Sequence, residues 1–184
     1  MQLNMYKFEI LQSMAKKYNQ ASNDSLLWKD IMLVLDCTEK QAKKYALSHC
    51  NSVSFWMGLF ITDKICINYD EYFKIGYESG YIKENGYITD KPALCEKLGV
   101  KNFKLNFIED YNQIINPTKL KPDGVYQLRI YTGRTLTGKR KNHFIICMMK
   151  MGALFLFDTM NRGVCVLAFE KIKEKQFEKL LDMN

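Results

Sequence analysis

Two side chains of complementary chemistry, His143 and Asp158, stand at the ends of one apolar stretch. Residues 143–150 form an apolar, β-prone run, Met151 and Gly152 supply a short turn, and residues 153–157 are apolar again. That pattern predicts an antiparallel hairpin. With Met151 and Gly152 as a two-residue loop, Lys150 pairs with Ala153 and Asp158 falls opposite Ile145. His143 then lies one pleat further along on the same face, a diagonal neighbour about 7–8 Å away at the backbone and within side-chain reach. A slip of one residue would send the two to opposite faces. An imidazole held by a carboxylate is the base-and-orienter half of a nucleophilic triad, because the carboxylate fixes the tautomer and supports the imidazolium. A purely structural hydrogen bond is the alternative.

The pool of other reactive groups is small. His49 is the only second histidine, and it closes a predicted helix, where a favourable charge at the C-terminal dipole is its expected role. The six cysteines, at 37, 50, 66, 95, 147 and 165, contain no C-x-x-C pair, and several lie inside apolar runs. They read as buried, reduced thiols rather than a zinc site or a disulfide framework, and neither a metal nor a cofactor is implied.

The elements that must position His143 and Asp158 follow from periodicity. Residues 5–18 carry apolar side chains at helical spacing, and a polar loop, 19–25, breaks the chain before a run from Ser25 to Asp36 that is apolar nearly all round. Thr38 and Gln41 make a capping box for a helix over about 39–49. Residues 53–67 are apolar but ambiguous between helix and strand. Helices are expected over 69–79 and from Asp90, with Pro92 just inside, to Leu98 and Gly99. Strands are expected near Tyr87 and Ile88, at 103–108 and 124–131, at the hairpin and at 164–169, with a polar loop over 132–142 and a charged closing helix from Lys171 to Leu181. Helices crowd residues 1–100 and strands 101–184, and no repeat or linker divides them. The expectation is one α+β domain, a helical layer on an antiparallel sheet.

Several segments bear a resemblance. Gln20-Ala-Ser-Asn-Asp-Ser25 resembles the Gln…Asp-Cys nucleophile motif of the bacteriocin-leader-processing (double-glycine) branch of the papain-like cysteine peptidases. His143-Phe-Ile and Phe157-Asp158-Thr are similar to its His and Asp segments, and the stretch from Tyr72 to Gly99 to its middle region. The resemblance implies a papain-like fold with Ser25 at the nucleophile position, Gln20 as oxyanion donor, His143 as general base and Asp158 as orienter. Residues near these positions are the candidate substrate contacts: Asn19, Asp24, Trp28, Arg140 and Asn161. Trp28 is alternatively core, and Asn161 alternatively a turn residue.

The chain departs from the pattern in two ways. Gln20 precedes Ser25 by five residues where the branch usually leaves six, which makes Asn19 a second candidate donor. Serine replaces cysteine, and Leu26 and Leu27 replace the usual small residues. A helix end and one imidazolium do not poise a hydroxyl as an anion, so such a site would be very slow. Ser25 is then an engineered replacement, or marks a pseudo-enzyme that binds without cutting, or the nucleophile is elsewhere. Cys37 is the substitute the thiols offer, and Cys147 is expected to pack.

The net charge of +7 concentrates at Arg129, Arg134, Lys139, Arg140 and Lys141. An anionic substrate such as peptidoglycan, an acidic peptide or a protein partner suits that cluster, and a solvated loop is the plainer reading. Nucleic acid is disfavoured, since no aromatics interleave the basic residues. No run approaches the ~18 apolar residues of a membrane span, and the start lacks a signal-peptide layout, which predicts a cytoplasmic chain. Amide-bond hydrolysis, in a bacterial or phage-associated setting, is the expected activity; a binding or structural module on the same fold is the alternative.

Overall fold

The computed structural model describes residues 2–116, 120–160 and 166–184. It is an α+β fold in which helices precede an antiparallel sheet. The helices are α1 (Gln2–Lys17), α2 (Leu26–Leu35), α3 (Glu39–Ala46), α4 (Cys50–Ile61), α5 (Tyr69–Glu78), α6 (Lys91–Lys97) and the short α7 (Tyr111–Ile115). The starts of α2, α3 and α6 follow side chains that can satisfy first-turn N–H groups. Ser25 accepts from Leu27 N to cap α2, Thr38 and Gln41 form the expected capping box on α3, and Asp90 accepts from Ala93 N to cap α6. The ambiguous segment resolves as α4, which is buried almost all round and lies against the sheet.

The sheet contains β1 (Phe107–Ile108), β2 (Val125–Arg134), β3 (Arg140–Lys150), β4 (Ala153–Phe157), β5 (Val166–Ala168) and β6 (Phe177–Asp182), in the order β1-β6-β2-β3-β4-β5. Every pairing is antiparallel. β3 and β4 form the expected hairpin with Lys150 opposite Ala153 and Ile146 opposite Phe157. Met151 and Gly152 take φ of 51° and 78°, the left-handed pair that a tight two-residue turn requires.

One face of the sheet meets the helices. Val125, Ile146, Met148, Phe157, Leu181 and Met183 pack there with Leu27, Ile31, Phe55, Leu59, Tyr69 and Phe73. The other face carries a second cluster, including Leu128, Ile145, Cys147, Leu156, Phe169 and Leu180. Covering both faces explains why the strands read as nearly continuous apolar runs rather than as alternation.

Four expectations need correction. The segment from Lys171 to Leu181 is not a helix: two 3₁₀ turns, Phe169–Lys171 and Glu174–Gln176, lead into β6, which inserts between β1 and β2. Leu180 enters one core and Leu181 the other, so the apolar pair serves two opposite faces, which adjacent strand residues do and adjacent helix residues do not. The loop over 132–142 is also mostly strand. β2 and β3 extend past a bulge at Tyr131 and Gly133, and only residues 135–139 turn. The expected strand at 103–108 shrinks to β1, and that near Tyr87 to one bridge between Ile82 and Ile88. Among the described residues, no helix is long and apolar enough to cross a membrane.

α4 approaches the sheet closely because Gly58 has no side chain. A Cβ there would stand 2.8 Å from Met183 Cε and 3.1 Å from Ile146 Cδ1. Gly58→Val is expected to lower the unfolding free energy by about 1–3 kcal/mol, as overpacking does, read from urea denaturation. Gly58→Ala should cost less, because its one methyl meets side-chain atoms of Met183 and Ile146 rather than backbone and it gains helix propensity.

Candidate active site

The hairpin brings His143 and Asp158 together. His143 Nε2 lies 2.7 Å from Asp158 Oδ1, and the same oxygen accepts from Met160 N at 2.8 Å. Both side chains are mostly buried, with 13% and 15% of their surface exposed. Burial alone would lower the imidazole's affinity for a proton. The hydrogen bond and charge of Asp158, joined by the Cys50 side chain, outweigh it and raise the His143 pKa to about 10. Against burial, the bond to His143, its charge and the Met160 N–H hold the Asp158 carboxyl below its ordinary range.

The third group beside this pair is Cys50, not Ser25. Cys50 is the first residue of α4 and lines one cleft with Ser48, Lys141, His143 and Asp158. Since Nε2 is committed to Asp158, Nδ1 is the ring nitrogen open to the thiol. No side chain caps α4, and the positive end of a helix dipole favours negative charge beside its first turn.

The position of Cys50 is set from both flanks. His49, preceding it, is completely buried: Nε2 lies 2.7 Å from the Glu84 carbonyl and Nδ1 2.7 Å from Tyr69 Oη. A carbonyl only accepts, so Nε2 holds the proton, and burial, against the Glu84 bond, lowers the ring's pKa to about 4. The expected charged role for His49 at a helix end is therefore replaced by a neutral, structural one. On the other flank, Gln127 of β2, 2% exposed, donates from Nε2 to Asn51 O at 3.0 Å and to Ser54 Oγ at 2.6 Å. These bonds tie the first turn of α4 to the middle of the sheet.

The remaining sequence-derived site residues have other partners. Ser25 Oγ accepts from Leu27 N at 3.1 Å and donates to Lys17 O at 3.4 Å; capping accounts for the serine. Gln20 Nε2 donates to Ala46 O at 2.8 Å and its Oε1 accepts from Thr159 Oγ1 at 2.9 Å. Its carboxamide thus clamps the end of α3 to the residue after Asp158. Asn19 Oδ1 accepts from Ala21 N, and Asp24 N donates to Ser22 Oγ, both within the loop before α2. Trp28 is core, its Nε1 donating to Asn23 O with Lys43 4.8 Å over the ring. Arg140 pairs with Glu178 at 2.6 Å and stacks over Tyr131. Cys147 is buried in the second core, and Cys37 packs at the edge of the first. Asn161 lies outside the described residues. Among the described residues, no group of three or more His, Cys, Asp and Glu side chains is placed to hold a metal ion.

Cys50 is the residue that sequence reasoning missed. Its signal was the junction Leu47-Ser-His-Cys50, where a charged amphipathic helix gives way to the apolar run that becomes α4. Running the third helix through residue 49 and starting the apolar segment at 53 concealed that junction.

The arrangement holds an imidazolium at neutral pH. The folded pKa of His143, about 10, exceeds the ordinary 6.5, so its contribution to stability is full below about 6.5 and is lost as pH rises through about 10. With only two histidines, an NMR titration resolves both rings. His143 should lose its proton near pH 10 and His49 gain one only near pH 4. Asp158→Asn should move the His143 midpoint down by more than two units, leaving His49 in place. By sequence, the chain matches no protein-family model and no curated protein.

Proposed function

We propose that this chain is a papain-like cysteine hydrolase that cleaves an amide bond by acyl transfer, with Cys50 as nucleophile, His143 as acid and base, and Asp158 as orienter. The observation that carries the reading is Cys50 at the first turn of a buried helix, beside a histidine already held by a carboxylate. A helical layer that presents the nucleophile at the start of a buried helix, and a sheet that presents His and then Asp, is the papain-like layout. The segment similarities around His143, Asp158 and Tyr72 to Gly99 support the same family. The pseudo-enzyme reading rested on a serine nucleophile, and the capping role of Ser25 removes that support.

In this mechanism Cys50 Sγ attacks the amide carbon and its proton resides on His143 Nδ1. The oxyanion faces the N–H groups at the start of α4, where a preformed donor lowers the barrier by about 3–4 kcal/mol. His143 then protonates the departing amine, leaving a thioester on Cys50. Water, deprotonated by His143, adds to the thioester and releases a carboxylate. Asp158 keeps the ring oriented throughout and compensates its charge.

Lys141 lines the same cleft as Cys50 and His143, which favours an anionic polymer or peptide, with the peptide cross-links of peptidoglycan the leading class. Purified peptidoglycan and a mixed peptide library are the test substrates, with released amines quantified and products identified by mass spectrometry. Cys50→Ala should abolish release. Ser25→Ala should stay within about threefold of the parent rate while losing ~1 kcal/mol of stability with its cap. Release that survives Cys50→Ala but not Ser25→Ala would contradict the assignment.

A further inference from the structure

A second cleft, of about 340 Å³, reaches the start of α4 at Asn51. Cys50 and His143 line one cleft; their chain neighbours Asn51 and Phe144 line the other. Asn51 follows Cys50 at the start of α4, which places one edge of the second cleft beside the backbone of the proposed nucleophile. The second cleft has an unusual composition for a side-chain pocket. Lys91, Arg129 and Lys179 line it, from α6, β2 and β6, between the apolar faces of Phe144, Phe107 and Leu181.

These cations are not equally committed. Arg129 is paired with Glu178 at 2.7 Å, whereas neither Lys91 nor Lys179 enters an ion pair among the described residues. Lys91 Nζ donates to Gln127 Oε1 and lies 4.8 Å and 5.4 Å from the ring centroids of Phe55 and Phe144. Lys179 Nζ lies 3.9 Å over Phe107. The one acid lining the cleft, Asp90, spends a carboxylate oxygen capping α6.

We infer that this cleft is a specificity pocket for a carboxylate on the substrate, with Lys91 as its principal partner and Lys179 as the second cation. The inference rests on the proposed hydrolase only in placing this pocket next to the scissile bond. Uncompensated ammonium groups against aromatic faces leave a favourable site for one negative charge. Burial, then the charges of Lys179 and Arg129, depress the Lys91 pKa to about 7, with Cys95 opposing; a bound anion relieves that strain. Gln127 bonds to Lys91 through one end of its carboxamide and to Asn51 and Ser54 through the other. The pocket and the seat of the nucleophile therefore share one rigid support.

Three small probes separate the sources of the carboxylate: N-acetylglutamate N′-methylamide, its glutamine counterpart, and N-acetylalanine with a free terminal carboxylate. Each is titrated into the Cys50→Ala protein, so that no turnover intrudes, and followed through the methyl resonances of Ile88 and Leu181, which line the cleft. The structure predicts binding of a carboxylate probe at least about tenfold tighter than the glutamine probe, as loss of one charge-assisted hydrogen bond implies. Whichever carboxylate probe binds better identifies a side chain or a chain terminus as the source. Lys91→Met should erase the preference; the probe comparison on the unaltered pocket stands even if that variant folds poorly. Equal binding of the glutamate and glutamine probes, with N-acetylalanine no better, would overturn the inference. Because no probe is cleaved, that failure is distinct from failure of the hydrolase assignment.

Discussion

A helix that is apolar on nearly every side has to be enclosed, and the enclosure of α4 governs the arrangement of the rest of the molecule. Helices α1 and α5 pack against it, and β2 and β3 support its other side. Enclosure alone does not set where a helix begins or how far it slides along its axis. Those are set by polar contacts within the apolar surroundings: Gln127 from the sheet and His49 anchored to Glu84 and Tyr69. In a low-dielectric interior each such bond is costly to leave unmade, so together they allow one register. Cys50 is thereby delivered to the mouth of a cleft, at a helix end left without a cap.

The two histidines show how environment divides one residue type between two tasks. Both are largely removed from water. His49 faces a carbonyl and a phenol, neither of which stabilises a cation strongly, and it remains neutral. His143 faces a carboxylate that is itself fixed by a backbone N–H, and it retains a proton. The first builds the helix start and the second confronts the thiol that this start presents.

Much of this was legible in the sequence. The two-residue turn at Met151 and Gly152 specified the hairpin register, and with it the meeting of His143 and Asp158, because loop length fixes which residues pair and a slip of one would send the two side chains to opposite faces. Capping chemistry located the starts of α2, α3 and α6. Two features were concealed. The charged closing segment has a composition that suits a helix, and only its insertion between two strands makes β6 the better structure; tertiary pairing overrides local propensity there. Ser25 and Cys50 both precede apolar helices, and no local signal shows which of these helices faces the His143 strand. That choice is made by long-range packing.

Chemistry at this cleft requires that His143 activate Cys50. The most direct measurement is treatment of the protein with substoichiometric iodoacetamide near neutral pH, with the modified thiol identified by mass spectrometry. Cys66 is the exposed thiol among the described cysteines and serves as an internal reference, whereas Cys50 is half-buried. Cys50 should be alkylated well ahead of Cys66, and His143→Ala should abolish this lead. Prior modification of Cys66, or a Cys50 rate indifferent to His143→Ala, would contradict that activation.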